Sequence, residues 1–513
     1  MNAGEMREFV ESGRAVMGIE LGSTRIKAVL VDGGFGVIAQ GAHDWENRLV
    51  DGVWSYALED AEAGVRDAYA KCAADVAAKC GARLGSLAAL GISGMMHGYL
   101  AFDAAGRQLV PFRTWRNVMT ADAAARLSGL FGFNIPQRWS VAHCAQAILN
   151  GEAHVPEVRR LTTLAGYVHA RLSGEAVLGV GEASGMFPVD PATGGYDERM
   201  MAAFESEFGP LADRLPRPVA AGGAAGRLTE AGARWLDPTG TLRPGAVMAP
   251  PEGDAGTGMV ATNAVAPRTG NVSAGTSIFA MVVLDGKLGS SHPEVDVVTT
   301  PAGREVAMVH CNNCTNEINA WKEVLGRYSF RELFEESLRG DADCGGVTVV
   351  PYLSGEPVTG VAGPMLRVVR SPGARFTLAN FMRAQVYSAF VSLRIGMEIL
   401  AADGVRVESL TGHGGIFKDR GIAQQYLADA LRTPVTCLST ASEGGPWGMA
   451  VLAEFARRAS GGGAAPALER FLADEVFAGV GSETLRPTEE GAAGFDRYAE
   501  NFRAALAGRP PRD

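Results

Sequence analysis

Binding a polyphosphate takes a dense set of N–H donors, which short glycine turns supply because no side chain blocks the approach to the backbone. Four such turns stand in the chain: Gly22-Ser23-Thr24, Gly275-Thr276-Ser277, Gly412-His413-Gly414-Gly415 and Glu443-Gly444-Gly445. Each taken singly is either a chain reversal or a phosphate cradle. No Gly-x4-Gly-Lys-Ser/Thr loop occurs, which excludes P-loop chemistry. Asp254 sits in Pro250-Pro251-Glu252-Gly253-Asp254-Ala255-Gly256-Thr257-Gly258, where prolines and glycines around one carboxylate suggest a rigid loop that aims it. It reads either as a solvated loop aspartate or as a general base that accepts a hydroxyl proton. Met96-His97-Gly98 follows the apolar stretch Leu87–Ile92, and Trp115-Arg116-Asn117 ends a second short segment. Such polar and aromatic groups beside strand ends suit a sugar, with hydroxyls to bond and a C–H face to stack on. A lone histidine is also often structural. Cys311-Asn312-Asn313-Cys314 has no second pair at zinc spacing and reads as structural, although His310, Asn313 and Asn316 beside it could still face a ligand. Gly179-Val180-Gly181-Glu182-Ala183-Ser184 falls one residue short of a dinucleotide fingerprint and reads as a loop.

The elements that must carry these residues show an internal repeat. Gly22, Asp32, Gly33 and Gly36 recur at one constant offset as Gly275, Asp285, Gly286 and Gly289, with apolar runs Arg25–Val31 and Ile278–Leu284 in matching places. Each copy reads as strand, tight turn, strand, turn. Two related α/β halves that each open with a hairpin would explain this, and the join falls near Val260–Arg268. The segment Ala220–Leu242, rich in Gly, Ala and Pro, reads as loops. In the second half Met382, Val386, Ala389, Leu393, Met397 and Leu400 recur at helical spacing and stop at Asp403-Gly404. A strand over Val407–Thr411, a helix over about Asp419–Leu431 and a strand over Pro434–Leu438 follow. This alternation predicts an α/β fold.

Composition narrows the class. The 513 residues are 47% hydrophobic and 20% charged, so a disordered chain is excluded. Glycine, at 66 residues, shows no G-X-Y period. A net charge of −10 without a basic run argues against nucleic acid as partner. No apolar run is long enough for a membrane span, and seven scattered cysteines make no disulfide framework. The expectation is a cytoplasmic protein with no membrane partner.

With these residues in view, the chain resembles the FGGY carbohydrate kinases. Gly18-Ile19-Glu20-Leu21-Gly22-Ser23-Thr24 with Lys27 is similar to the family's first phosphate turn, and Gly275-Thr276-Ser277 to its second. Gly91–Gly98, then Asp103, Leu109, Pro111 and Trp115, is similar to the sugar-site segment of xylulose and ribulose kinases. Glu252-Gly253-Asp254 matches the position of the catalytic aspartate, Pro351–Glu356 the segment placed after the family's central helix, and Gly412–Gly415 with Gly444–Gly448 the adenosine region. The resemblance implies two RNase H-like domains of the actin/Hsp70/sugar kinase type flanking a central cleft, 1–264 binding sugar and 265–513 binding nucleotide. It implies transfer of the γ-phosphoryl group of ATP to a ketopentose, with Asp254 as the base and Mg²⁺ held by Glu20 and Asp254. ATP would meet Gly22, Ser23, Thr24, Lys27, Gly275, Thr276, Ser277, Gly414, Gly415, Gly444 and Gly445. The sugar would meet Met96, His97, Trp115, Arg116, Arg138 and Asp254. The family carries Asp where this chain has Glu20, and related kinases often carry Asn where it has Ala255. Overall likeness sets L-ribulose first and D-xylulose second, and a homodimer is the candidate assembly. Two rivals remain: an actin/Hsp70-type ATPase with a protein partner, and a catalytically silent sugar sensor.

Overall fold

The computed structural model describes residues 1–418, 421–440, 444–461 and 466–509. The chain forms two compact units. The first takes Met1–Val265, Val298–Glu305 and the described residues of Glu443–Gly479; the second takes Ala266–Val297, Val306–Ser442 and Val480–Asp513, again as far as described. The sequence reading divides the chain once, at 264/265. In the structure the first unit also regains two later segments, including the helix Gly444–Ala459.

In the first unit, β1 (Val16–Leu21), β2 (Arg25–Val31), β3 (Val37–Asp44), β4 (Ala89–Gly94), β5 (Val247–Met248) and β6 (Glu252–Gly253) make one sheet. Its order is β5-β4-β1-β2-β3, with β6 also on β4. The β1–β2 and β2–β3 pairs are antiparallel, and β1, β5 and β6 all run parallel to β4. Val16, Met17, Ile19 and Leu21 of β1 and Leu90 and Ile92 of β4 are all buried, as expected of strands covered on both faces. One cover is the helix Leu58–Cys80, against which Gly41 of β3 presses so closely that a Cβ would strike the Ala68 carbonyl. The other is the helix Gly444–Ala459. Gly18 and Gly91 leave room for its Pro446 carbonyl and Met449 side chain, and Trp447 Nε1 donates to Phe35 O at 2.9 Å.

The sheet of the second unit is built from β7 (Thr269–Ala274), β8 (Ile278–Val283), β9 (Val295–Thr299), β10 (Glu305–Cys311), β11 (Ser409–His413), β12 (Val435–Leu438) and β13 (Ser482–Leu485). The order is β9-β10-β8-β7-β11-β12-β13. The helix Leu378–Ala402 follows the expected stripe: Met382, Val386, Ala389 and Leu393 are buried. Thr377 caps its start, and Gly404, at φ 82°, turns the chain after it. The predicted strand–helix–strand run is present as β11, the helix Ile422–Leu431 and β12; Asp419 lies outside the described residues.

Three local expectations are corrected. Ala220–Leu242 is not all loop, because Thr229 accepts from Gly232 N and starts the helix Glu230–Leu236. Gly179–Ser184 is a strand end, Val177–Gly179, running straight into the helix Val180–Ser184. Asp254 is the first residue of the helix Asp254–Ala261 rather than part of a loop. Among the described residues, no helix is long and apolar enough to cross a membrane.

Candidate active site

β6 lies beside β4 with Glu252 opposite Ser93 and Gly253 opposite Gly94, so Asp254 starts its helix where β4 delivers Met95, Met96 and His97. Gly253 has to be glycine because the Met96 side chain and the Glu182 carboxyl fill the space where a Cβ would stand. The Asp254 carboxylate accepts the Ala255 N–H at 2.8 Å, with further N–H donors from Met96 and its own backbone. A helix N-terminus favours the ionised form. The residue is solvent-exposed, yet protein crowds its carboxyl, and that crowding pushes its pKa up to about 6. Water reaches the group despite the crowding, so it is ionised at neutral pH and can accept a proton from a hydroxyl.

Two carboxyls lie beneath it that sequence reading missed. Glu252 accepts from Glu182 N at 3.0 Å and from Gly181 N at 3.4 Å. Gly179 and Gly181 are glycine because this carboxylate occupies the place of their side chains. Burial pushes Glu252 up to about 8 and pushes Glu182 well above the usual carboxylate range, and the charges of Glu252 and Asp254 add to the rise at Glu182. At neutral pH Glu252 is therefore largely protonated, while Asp254 beside it is ionised.

His97 has a left-handed backbone, φ 70°, and its Nδ1 lies 3.0 Å from the Gly185 carbonyl. A carbonyl only accepts, so Nδ1 carries the hydrogen and Nε2 presents a lone pair. Burial, with the nearby Arg138 charge, pushes the imidazole down to about 3, so it stays neutral. The Trp139 ring stacks on it at 6.0 Å, and Arg138 O accepts the Gly98 N–H at 3.2 Å. Asp254, Met96, His97 and Arg138 thus come together. Trp115 and Arg116 follow the bridge between Tyr99 and Arg113 on a neighbouring loop; Arg116 lies over the Trp54 ring at 4.0 Å, and Trp115 is 40% exposed.

Glu20 stands opposite Lys27 across β1 and β2 and opposite Ser93 of β4. It is half-buried, and burial first, then the Asp254 charge, raises it to about 8 against the pull of Lys27. A Cβ on Gly445 would collide with its carboxylate, so the start of the helix Gly444–Ala459 abuts Glu20. Gly444 and Gly445 therefore accompany Glu20 and the Gly22–Thr24 turn within the first unit. Glu443 lies outside the described residues.

In the second unit the Gly275–Ser277 turn joins β7 to β8. β11 runs beside β7 with Gly412 opposite Val272, which brings Gly414 and Gly415 to the same end. Gly414, at φ 113°, packs against the Ala274 backbone so closely that no side chain fits. Gly275 differs: its φ is ordinary and, among the described residues, nothing lies within 4 Å of a would-be Cβ, so glycine there is not required by the packing of those residues. Cys311 and Cys314 are buried, and burial pushes both thiols up, away from the thiolate a metal needs. Asn313 does not serve a ligand; its amide is used on Leu353 N, Ser354 and Glu356.

Comparison with known proteins bears on the family and the fold. The FGGY family of carbohydrate kinases matches twice, by its N-terminal domain over residues 15–236 and by its C-terminal domain over residues 270–457. The xylulose kinase of Klebsiella pneumoniae is 24% identical over 423 residues, 78% of this chain and 81% of its own length. In three dimensions, the xylulose kinase of Rhodospirillum rubrum matches with a TM-score of 0.78 at 19% identity, covering 96% of this chain and 99% of its own. The gluconate kinase of Lactobacillus acidophilus matches with a TM-score of 0.80 at 16% identity, covering 96% and 98%. The fold is therefore that of the actin/Hsp70-like sugar kinases, and since these two neighbours are named for different acceptors, it does not by itself choose the sugar. The rival reading as an actin-type ATPase with a protein partner is not favoured. With both domains matched in order and an ionised aspartate beside a neutral histidine at the strand ends, the chain belongs to the FGGY family of carbohydrate kinases and is an ATP-dependent sugar kinase.

Proposed function

We propose that this enzyme phosphorylates a terminal hydroxyl of a ketopentose and that Asp254 is its catalytic base. The supporting observation is the seat of Asp254: first residue of a helix, ionised next to the buried, protonated Glu252, beside Met96 and His97. Phosphoryl transfer asks mostly for positioning and charge neutralisation. Asp254 accepts the hydroxyl proton as the oxygen attacks the γ-phosphorus, the ADP oxygen leaves with the electron pair, and the proton stays on the carboxyl until solvent takes it. His97 Nε2 accepts a hydrogen bond from another sugar hydroxyl, and Met96 and Arg138 line the same place. Trp115 and Arg116 act from the adjoining loop. The Gly22–Thr24 and Gly275–Ser277 turns, with Lys27, Gly414, Gly415, Gly444 and Gly445, serve ATP.

Glu20 and Asp254 suit a magnesium ion: the Asp254 charge adds to the cost of ionising Glu20, and a cation would relieve that cost. No cluster of three or more metal-ligating side chains occurs among the described residues. When bound, Mg²⁺ would neutralise phosphate charge.

Among ketopentoses, the names of the relatives favour D-xylulose, with L-ribulose second; overall likeness alone had set them in the other order. Ala255 removes one side-chain contact that related kinases often have, so the panel should be wide. ADP release is followed with D-xylulose, L-ribulose, D-ribulose, glycerol and gluconate, with Asp254→Asn as control. Turnover on a ketopentose that collapses in Asp254→Asn is expected. ATP hydrolysis indifferent to every acceptor, or full turnover in the variant, would overturn the proposal.

A further inference from the structure

The first glycine turn is held from behind by two aromatic side chains that no sequence motif marks. Trp45 Nε1 donates to Gly22 O at 2.7 Å, the Tyr56 hydroxyl donates to Ser23 O at 2.6 Å, and Trp45 N donates to Thr24 O at 3.2 Å. Three successive carbonyls of the turn are thus claimed by one neighbouring segment. The peptides of the turn are trans, so the C=O and N–H of each point in opposite directions. Fixing Gly22 O therefore fixes the direction of the Ser23 N–H, and fixing Ser23 O fixes that of the Thr24 N–H. Both donors point away from the indole and the phenol, on residues that are exposed.

The two aromatics are themselves firmly set. Their rings stack at 4.2 Å and 27°, and Tyr56 is 3% exposed. Burial pushes its phenol up to about 12, so it remains an O–H donor at every working pH. The residues just before Tyr56 form the small hairpin Arg48–Val50 with Val53–Ser55. Asn117 grips that hairpin at Trp54, accepting its N–H at 2.9 Å and donating to its carbonyl at 2.8 Å. Thr114 N also donates to Trp54 O, and Asn47 Nδ2 donates to Thr114 Oγ1 at 3.2 Å. The loop Thr114–Asn117 in turn continues from the bridge between Tyr99 and Arg113, two residues beyond His97. A continuous set of hydrogen bonds within the first unit joins the sugar-side loop to the turn.

We propose that Trp45 and Tyr56 are positioning residues for phosphoryl transfer, aiming the Ser23 and Thr24 N–H groups at the phosphates of ATP. This rests on the reading of Gly22–Thr24 as a phosphate turn. Neither residue touches the reacting atoms; each acts through a carbonyl of the turn. Loss of one such neutral hydrogen bond is worth about a factor of five to ten in the property it supports.

The experiment compares Tyr56→Phe, Trp45→Phe and Ser23→Pro in the full-length enzyme. ATP and sugar dissociation constants, kcat and thermal midpoint are measured separately for each. Tyr56→Phe keeps the ring and loses only the donor. It should weaken ATP binding and lower kcat by about five- to tenfold each, with sugar affinity within about twofold of the parent. Trp45→Phe should show the same pattern, and it decides the matter if Tyr56→Phe also lowers the thermal midpoint. A structural role alone would move the midpoint and leave the split between ATP and sugar unchanged. Parent-like ATP affinity and kcat in both aromatic variants, while Ser23→Pro loses ATP binding, would overturn this inference and leave the turn's role standing. Full ATP binding in a folded Ser23→Pro variant would instead remove the phosphate-turn reading itself.

Discussion

Behind the first glycine turn an indole and a phenol hold the Gly22 and Ser23 carbonyls; behind the second, the same two positions are held by two main-chain N–H groups and one side-chain hydroxyl. Gly275 O accepts the Thr315 hydroxyl at 2.7 Å and the Thr315 N–H at 3.2 Å, and Thr276 O accepts the Cys314 N–H at 3.0 Å. The hairpins also close differently. Leu21 pairs with Ile26 in the first, whereas Ala274 pairs with Ile278 in the second, so the second turn is one residue shorter. Two stretches of similar pattern thus form turns of different length with different supports. What the copies share is a requirement: carbonyls held on one side so that N–H groups face the other. Which atoms meet it is decided by the chain folded behind each turn, and the first turn is the one that side-chain substitution can loosen.

If the turns hold ATP and Asp254 does the chemistry, the two roles should separate. Asp254→Asn should lower kcat by at least about a hundredfold while ATP affinity stays within about twofold, measured by steady-state kinetics and calorimetry. A parallel loss of ATP binding would mean that Asp254 supports the turns rather than the transfer.

The next largest effect should come from the packed side of the second turn. Gly414 is left-handed and presses on Ala274, the last residue before the turn. Gly414→Ala should cost at least about 2 kcal/mol of stability, read from denaturant midpoints, and weaken ATP binding with it. Gly275→Ala, facing open space, should leave stability unchanged and act on ATP alone. Equal stability losses at both positions would erase this distinction between a glycine kept for packing and one kept for room.

The general plan was legible in sequence because it is local: the repeated hairpins, the helix stripe from Met382 to Leu400 and the Pro-Glu-Gly-Asp run all show themselves within a short window. What stayed hidden depends on distant chain. Gly179 and Gly181 read as a loop because their reason, the Glu252 carboxylate, lies some 70 positions away. Gly444 and Gly445 read as part of the second half because nothing local reveals that their helix returns to Gly18, Gly91 and Glu20. Trp45 and Tyr56 carry no motif at all, since their partners are backbone carbonyls. Only tertiary placement makes them visible.

Burial acts on histidines in both units: His97, His143 and His169 of the first are pushed down to about 3, 3 and 4, and His413 of the second to about 4. Each has a folded pKa below its unfolded value of about 6.5, so the unfolded chain takes up the proton first. Their contribution to stability is therefore complete above about pH 6.5 and is lost as the pH falls toward the folded values. Among the described residues neither ring nitrogen of His143 has a hydrogen-bond partner, which makes it the cleanest to replace. His143→Gln should flatten the acid limb of stability against pH by about 1.4 kcal/mol per pH unit below pH 6 and change little at pH 8. An unchanged slope would show that this histidine is not held neutral.

The smallest effect tests the side-chain support of the second turn directly. Thr315 gives Gly275 O two donors, and only the hydroxyl is open to substitution. Thr315→Val keeps the shape and the N–H, so it should weaken ATP binding by about fivefold or less, and Thr315→Ser should restore it. Replacing Tyr56 by Phe removes the donor that Ser23 O has among the described residues, so that variant should lose more. If Thr315→Val proves the more damaging of the two, the second turn depends on its side-chain support more than the first does, and the order of vulnerability argued from their partners is reversed.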